Sequence, residues 1–152
     1  SNVKILNHLE HSYMVRSTDL EKNNFLSDVR HVNEHSYNFL KKSKLYGGEL
    51  LVNKIGRPGQ FYLAPKLKKP MTLGMNLFLI KLKPTVKFNN HFLWVYFNTK
   101  LGQRIVQRKI NGTAPFSIDK NSILSLLIPV LSIKFQDQII PLSMLINLSH
   151  KF

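Results

Sequence analysis

Cysteine is absent from this 152-residue chain, so a disulfide framework, a thiolate nucleophile and a cysteine-based zinc site are all excluded. A chain without thiols suits a reducing compartment, and a cytoplasmic location is expected. Acid is nearly as scarce, with 8 Asp and Glu against 22 Lys and Arg. Those few carboxylates supply no convincing metal-binding pair for phosphodiester cleavage. A membrane-spanning run is also missing. The longest apolar stretch, Ile123 to Ile133, is about half the roughly 20 residues that cross a bilayer, and it contains Pro129. The start Ser1-Asn2-Val3-Lys4 has no signal-peptide core. No Gly-x-x-x-x-Gly-Lys-Ser/Thr loop, Gly-x-Gly-x-x-Gly turn or Gly-x-Ser-x-Gly elbow occurs. Repeats and low-complexity tracts are lacking too, which removes solenoids and linkers.

What is present is the composition of one globular unit: 43% hydrophobic and 11% aromatic residues, enough to close a single core at this length. The formal net charge is +14. The excess is concentrated, because residues 50–118 hold twelve basic side chains and no acid between Glu49 and Asp119. Such a field attracts phosphate through counterion release, and neutralising roughly 6–10 phosphates makes affinity fall about 10³–10⁵-fold from low to moderate salt. A polyanion partner is therefore expected. The plainer alternative is a basic protein kept apart by self-repulsion. Membrane-surface binding fits less well, since the cations do not gather on one amphipathic helix.

Along the chain, Tyr13 to Leu20 reads as a strand closing on the turn Glu21-Lys-Asn-Asn24, and Phe25 to Val32 as a continuation. A capping Asn33 opens a short helix toward Lys42. Glu49 to Ile55 and Gln60 to Leu63 flank Gly56-Arg57-Pro58-Gly59, the composition of a hairpin corner. Lys66 to Lys69, between Pro65 and Pro70, reads as an exposed loop. Thr72 to Leu82 reads as one long central strand, apolar on both faces. Asn90 to Ile110 has spacings of three to five that suit one broken helix or two consecutive ones near Gly102. Asn111-Gly-Thr-Ala-Pro115 is a loop, and the apolar run Ile123 to Val130 follows a short strand or turn. Ser132 is a candidate N-cap for a helix toward Phe152 that Pro141 should kink. The fold class expected is α+β: a compact, twisted, mostly antiparallel or mixed sheet with several short helices and a C-terminal spacer helix. Residues 1–130 form the expected recognition domain, and 131–152 the start of the spacer or dimerisation helix.

Short motifs carry little chemistry here. His31-Val-Asn-Glu-His35 has the spacing of a zinc-binding His-x-x-Glu-His helix, but no third ligand is identifiable and solvated histidines explain it better. Asn111-Gly-Thr and Asn147-Leu-Ser match the glycosylation triplet without a secretion route, so they read as coincidences. No cofactor and no metal are expected.

An ordered series of weak motifs is more informative. Val15-Arg-Ser-Thr-Asp-Leu20, Gly48-Glu-Leu-Leu-Val52, Gly56-Arg-Pro-Gly59, Gln60-Phe-Tyr-Leu-Ala-Pro65, Met75-Asn-Leu-Phe-Leu-Ile-Lys81, Phe92-Leu-Trp-Val-Tyr-Phe97, Asn111-Gly-Thr-Ala-Pro115 and Ile128-Pro-Val-Leu-Ser-Ile-Lys-Phe-Gln136 follow one another. This succession, spanning about residues 13 to 146, resembles the target-recognition domain of type I restriction-modification specificity subunits. The chain departs from that pattern at Glu49, where Asp is usual, at Leu131, where a second proline is common, and at Pro141, which interrupts the spacer helix.

The resemblance implies a non-catalytic module that reads one half of a bipartite double-stranded DNA site. Its implied partners are a methyltransferase (modification) subunit, a nuclease/translocase (restriction) subunit, and a second recognition domain or a second copy of the chain. From charge and loop position, Lys54, Lys66, Lys68, Lys69, Lys100 and Arg108 are candidates for phosphate anchoring. Arg16, Ser17, Arg57, Gln60, Arg104, Asn111 and Thr113 are candidates for base readout. Ile139, Leu142 and Ile146 are expected to meet a partner helix. The alternative is an RNA- or single-strand-binding protein stacking bases on Tyr62, Phe78, Trp94 or Tyr96. A third possibility is a small hydrolase built on His31 and His35.

Overall fold

The computed structural model describes residues 2–112 and 115–139. In chain order the elements are β1 (Ile5–Leu6), β2 (Ser12–Val15), α1 (Ser17–Lys22), β3 (Arg30–Val32), α2 (Glu34–Phe39), a 3₁₀ turn (Lys41–Ser43), β4 (Lys44–Leu45), β5 (Leu50–Asn53), β6 (Phe61–Leu63), β7 (Met71–Leu73), β8 (Leu77–Ile80), α3 (Asn90–Asn98), α4 (Lys100–Gln107) and α5 (Lys120–Leu124). Residues 133–139 are also helical. The fold is α+β, with the strands divided between two sheets. One is five-stranded in the order β1-β3-β2-β7-β4, and the other is three-stranded in the order β6-β5-β8. Of the strand pairs among the described residues, only β2–β7 is parallel.

β5 explains the architecture. All four of its residues are buried. Leu50 and Val52 point into a cluster with Phe61, Phe92, Leu93, Phe97 and Val106, where the small sheet meets α3 and α4. Leu51, on the opposite pleat, joins Val15, Leu45, Met71 and Leu77 between the two sheets. A strand covered on both faces needs an unbroken apolar run, and Leu-Leu-Val supplies it at about 1.5–3 kcal/mol per buried side chain.

Several sequence expectations are met. Asn33 caps α2, its side chain accepting from the Ser36 amide at 2.9 Å. The hairpin forms as read, with Val52 opposite Phe61 and the Asn53 amide donating to Gln60 O. Ser132 Oγ accepts from the Phe135 amide as the 133–139 helix begins. α3 and α4 are two helices, although the break falls at Thr99 and not at Gly102. Thr99 ends α3, and its hydroxyl caps α4 by accepting from the Gly102 amide at 3.1 Å.

Three expectations are corrected. The strand drawn from Tyr13 to Leu20 stops at Val15, because the Asp19 carboxylate accepts from the Arg16 amide at 2.9 Å and opens α1 instead. Its continuation from Phe25 is cut short by Asn24, whose side-chain oxygen accepts from the Leu26 and Ser27 amides in a local turn. The single long strand over 72–82 is two. β7 ends at Leu73, a turn from Gly74 to Leu77 re-aims the chain, and β8 joins the other sheet as an edge strand. The apolar run Ile123 to Val130 opens in α5 and continues as irregular chain. Asp119 caps α5 through the Ser122 amide, and beyond it Leu127 and Val130 are 78% and 90% exposed.

Candidate nucleic-acid interface

The hairpin corner is pinned to the helical layer. The Gly59 amide donates to Asn53 O and the Gln60 amide to Arg57 O within the turn, while Gln103 Nε2 of α4 donates to Gly59 O at 3.4 Å and the Ile118 amide to Lys54 O. The corner thereby stands beside α4 and the loop that follows it. Between them lies a cleft of about 490 Å³ lined by Arg57, Gln60, Gln103, Gln107, Ile110 and Phe116, with Gly112 at its rim. Helical periodicity builds one wall. Gln103 and Gln107 are four residues apart and share a stripe of α4, while Lys100 and Arg104 form the neighbouring stripe, continued by Arg108 at its C-terminal cap.

Arg57, Lys100, Arg104, Gln107 and Arg108 are exposed. None of their side chains has a hydrogen-bond or ion-pair partner among the described residues. The same absence of ion pairs holds for all twelve cations of the acid-free stretch, since the salt bridges among the described residues are His8–Glu10, Arg16–Asp19 and Arg16–Asp28. The carboxylates bordering the stretch serve the backbone. Glu49 accepts from the Tyr46 and Gly47 amides at 2.7 and 2.8 Å, and Asp119 caps α5. Hydrogen bonds from Ser122 hold the Asp119 carboxyl below its ordinary value. The positive potential is thus left uncompensated locally.

The sequence-derived candidates separate into groups. Arg57 and Gln60 line the cleft, Asn111 precedes its rim at Gly112, and Arg104 flanks it. Asn111 pairs with Ser117 across the loop, and its side chain donates to Asp119 at 3.4 Å. Arg16 and Ser17 line a different hollow of about 330 Å³ with Arg30, Met75 and Asn76. Arg16 is a structural residue in this setting. Its guanidinium binds Asp19 with Nη2–Oδ1 at 2.6 Å and also donates to Asp28 O, and its pKa is raised chiefly by the Asp19 hydrogen bond. That pairing removes Arg16 from the free donors.

Among the phosphate candidates, Lys66 and Lys68 are exposed. Lys54 lies over the Phe78 ring at 4.9 Å, and Lys69 donates to Glu10 O at 3.2 Å, so both are partly tethered. Ile139 packs against the first core cluster and is not held out for a partner helix. Next to it Gln136 is fully buried, its Oε1 accepting from the Asn89 amide and its Nε2 donating to Lys87 O and Leu131 O. Thr113, Leu142 and Ile146 lie outside the described residues.

The proposed stacking platforms are half-buried against the two cores. Phe78, Trp94 and Tyr96 pack on the first core, and Tyr62 packs on the second. The Tyr62 hydroxyl donates to Glu21 Oε1 at 3.3 Å, and burial followed by the Glu21 charge pushes its pKa upward. His31 is buried in β3 with its ring centroid 4.8 Å from that of Tyr13, whereas His35 is exposed on α2. Among the described residues no group of three or more His, Asp or Glu is placed to hold a metal. No helix of the described residues is long and apolar enough to cross a membrane.

Gln103, Gln107 and Phe116 were not singled out from sequence. A glutamine carries no charge signal, and the only available cue was their four-residue spacing one step from the Arg104 stripe. No family model and no curated protein matches this chain.

Proposed function

We propose that this protein is a non-catalytic double-stranded-DNA recognition module of the type I specificity-subunit kind, reading one half of a bipartite site in the cytoplasm. Methylation and cleavage would be carried out by modification and restriction subunits, and the other half-site read by a second recognition domain or copy. One observation carries the reading: a cleft of mixed polar and apolar lining that holds Arg57 and Gln107, bordered by Lys100, Arg104 and Arg108, in a stretch whose cations have no carboxylate partner among the described residues. Phosphate anchors surrounding groups that can address base edges is the arrangement that sequence reading requires. The half-buried placement of Tyr62, Phe78, Trp94 and Tyr96 against the cores disfavours the single-strand reading, which needs fully open aromatic faces.

The test is competition. A labelled random-sequence duplex bound by the whole chain at low salt is challenged with unlabelled duplex, single-stranded DNA and RNA. Duplex should compete best, and log affinity should fall linearly with log salt at about 0.9 per phosphate neutralised. Equal or better competition by either single strand overturns the proposal.

A further inference from the structure

Two amides in the cleft are fixed in direction by the protein. Asn98, at the end of α3, donates through Nδ2 to Phe61 O at 3.1 Å and Trp94 O at 2.9 Å. Both partners are carbonyls and can only accept, so Asn98 Oδ1 is turned the other way. It accepts from Gln60 Nε2 at 2.6 Å, which orients the Gln60 amide in turn. Gln103 is set independently: its Nε2 donates to Phe97 O at 2.7 Å and Gly59 O at 3.4 Å. The nitrogen ends of both glutamines are therefore held by protein. Neither Oε1 has a partner among the described residues and neither belongs to the buried unsatisfied atoms, so both oxygens are accessible, on residues that line the cleft.

A fixed carbonyl oxygen accepts hydrogen bonds and repels phosphate. The cationic surface thus contains one patch unsuited to the DNA backbone and suited to a donor. In the major groove the donors are the exocyclic amino groups of adenine (N6) and cytosine (N4), while guanine presents two acceptors that match an arginine. From this geometry we infer that Gln60 and Gln103 receive the amino-bearing edge of an adenine or cytosine, with Arg57 addressing a neighbouring guanine. Gln107, exposed and without a partner among the described residues, follows whichever base is present. Phe116, 52% exposed, supplies the apolar side of the cleft.

This inference rests on the duplex-reading proposal, and the two fail separately. The whole chain is first used to enrich a motif from a randomised duplex library at low salt. The enriched duplex is then remade with single amino groups deleted, purine replacing adenine or pyrimidin-2-one replacing cytosine. One such deletion should weaken binding roughly 5- to 150-fold. Because a deleted amino group also costs a base-pair hydrogen bond, the loss must shrink to about twofold or less in Gln60→Met or, should that variant not fold, in Gln103→Met. A motif whose amino deletions all cost less than about twofold overturns the inference and leaves duplex reading standing. So does a loss of equal size in the folded glutamine variants. Failure to enrich any motif overturns both.

Discussion

Replacing Gly59 by alanine isolates the contact that seats the hairpin corner. Gly59 has φ +77°, a left-handed conformation that costs a residue with a Cβ about 1–2 kcal/mol. A Cβ there would also lie far inside contact distance of Val106 Cγ1, and 3.8 Å from Ile110 Cδ1. Val106 is fully buried in the first core and cannot move aside freely, which adds about 1–3 kcal/mol of overpacking. Gly59→Ala should therefore cost roughly 2–5 kcal/mol, or about 4–20 °C in Tm for a domain of this size. Gly56, three residues earlier in the same turn, provides the internal comparison. Its φ is +88°, but a Cβ would meet nothing within 4 Å, so Gly56→Ala should cost only about 1–2 kcal/mol. Urea denaturation of both variants at unchanged m-value measures the difference. In a Val106→Ala background the clash is relieved, and Gly59→Ala should cost about 1–3 kcal/mol less than in the parent. Equal effects of the two glycine substitutions, or strict additivity with Val106→Ala, would refute the packing argument.

Arg57→Ala should lose about 1–3 kcal/mol on the enriched duplex and relax preference there, whereas Lys68→Ala should weaken all duplexes alike and lower the salt slope by about 1; equal losses for Arg57→Ala on enriched and random duplex would remove it from base readout. Gln136→Leu should destabilise the fold by at least roughly 1–3 kcal/mol, since it strips partners from the Asn89 amide and from Lys87 O and Leu131 O; unchanged urea stability would show that those groups find water. Burial, and then the Lys69 charge, hold His31 below its ordinary value of 6.5. The unfolded chain consequently takes up a proton first, and stability is full above about 6.5 and declines as pH falls below it. His91 acts in the same direction through burial. His31→Phe should flatten that decline, and an unaltered pH profile of urea stability would count against the assignment.

The parts legible in the sequence were those decided by neighbouring residues. Gly56-Arg-Pro-Gly59 between two apolar runs specifies a hairpin wherever it sits, and Asn33 and Ser132 cap helices within their own turns. The α3–α4 break was legible as a break but was placed at Gly102. That glycine lies in the first turn of α4, where a Cβ would collide with backbone at Tyr96 and Phe97 of α3; the stop itself comes from the Thr99 hydroxyl. Residues 72–82 were misread because periodicity reports which faces are apolar and not which sheet covers them. β7 and β8 each look buried, and only tertiary pairing separates them. Arg16 drew attention as a cation, while its partner Asp19, three residues on, was taken for part of a strand and turn. In the cleft, charge pointed to Arg57, but the orientation of Gln60 depends on Asn98, 38 residues away, whose own direction is set by two backbone carbonyls.

The turn bearing Arg57 grows directly from β5, the strand common to both hydrophobic clusters. Its base is anchored from two directions, while its tip is free of interior packing at Gly56 and Arg57. On the duplex-reading proposal, a protein made this way can exchange the residues at the tip, and with them the sequence it would select, without reopening either core. The cost of acquiring a new target would then fall on recognition alone and leave folding almost untouched.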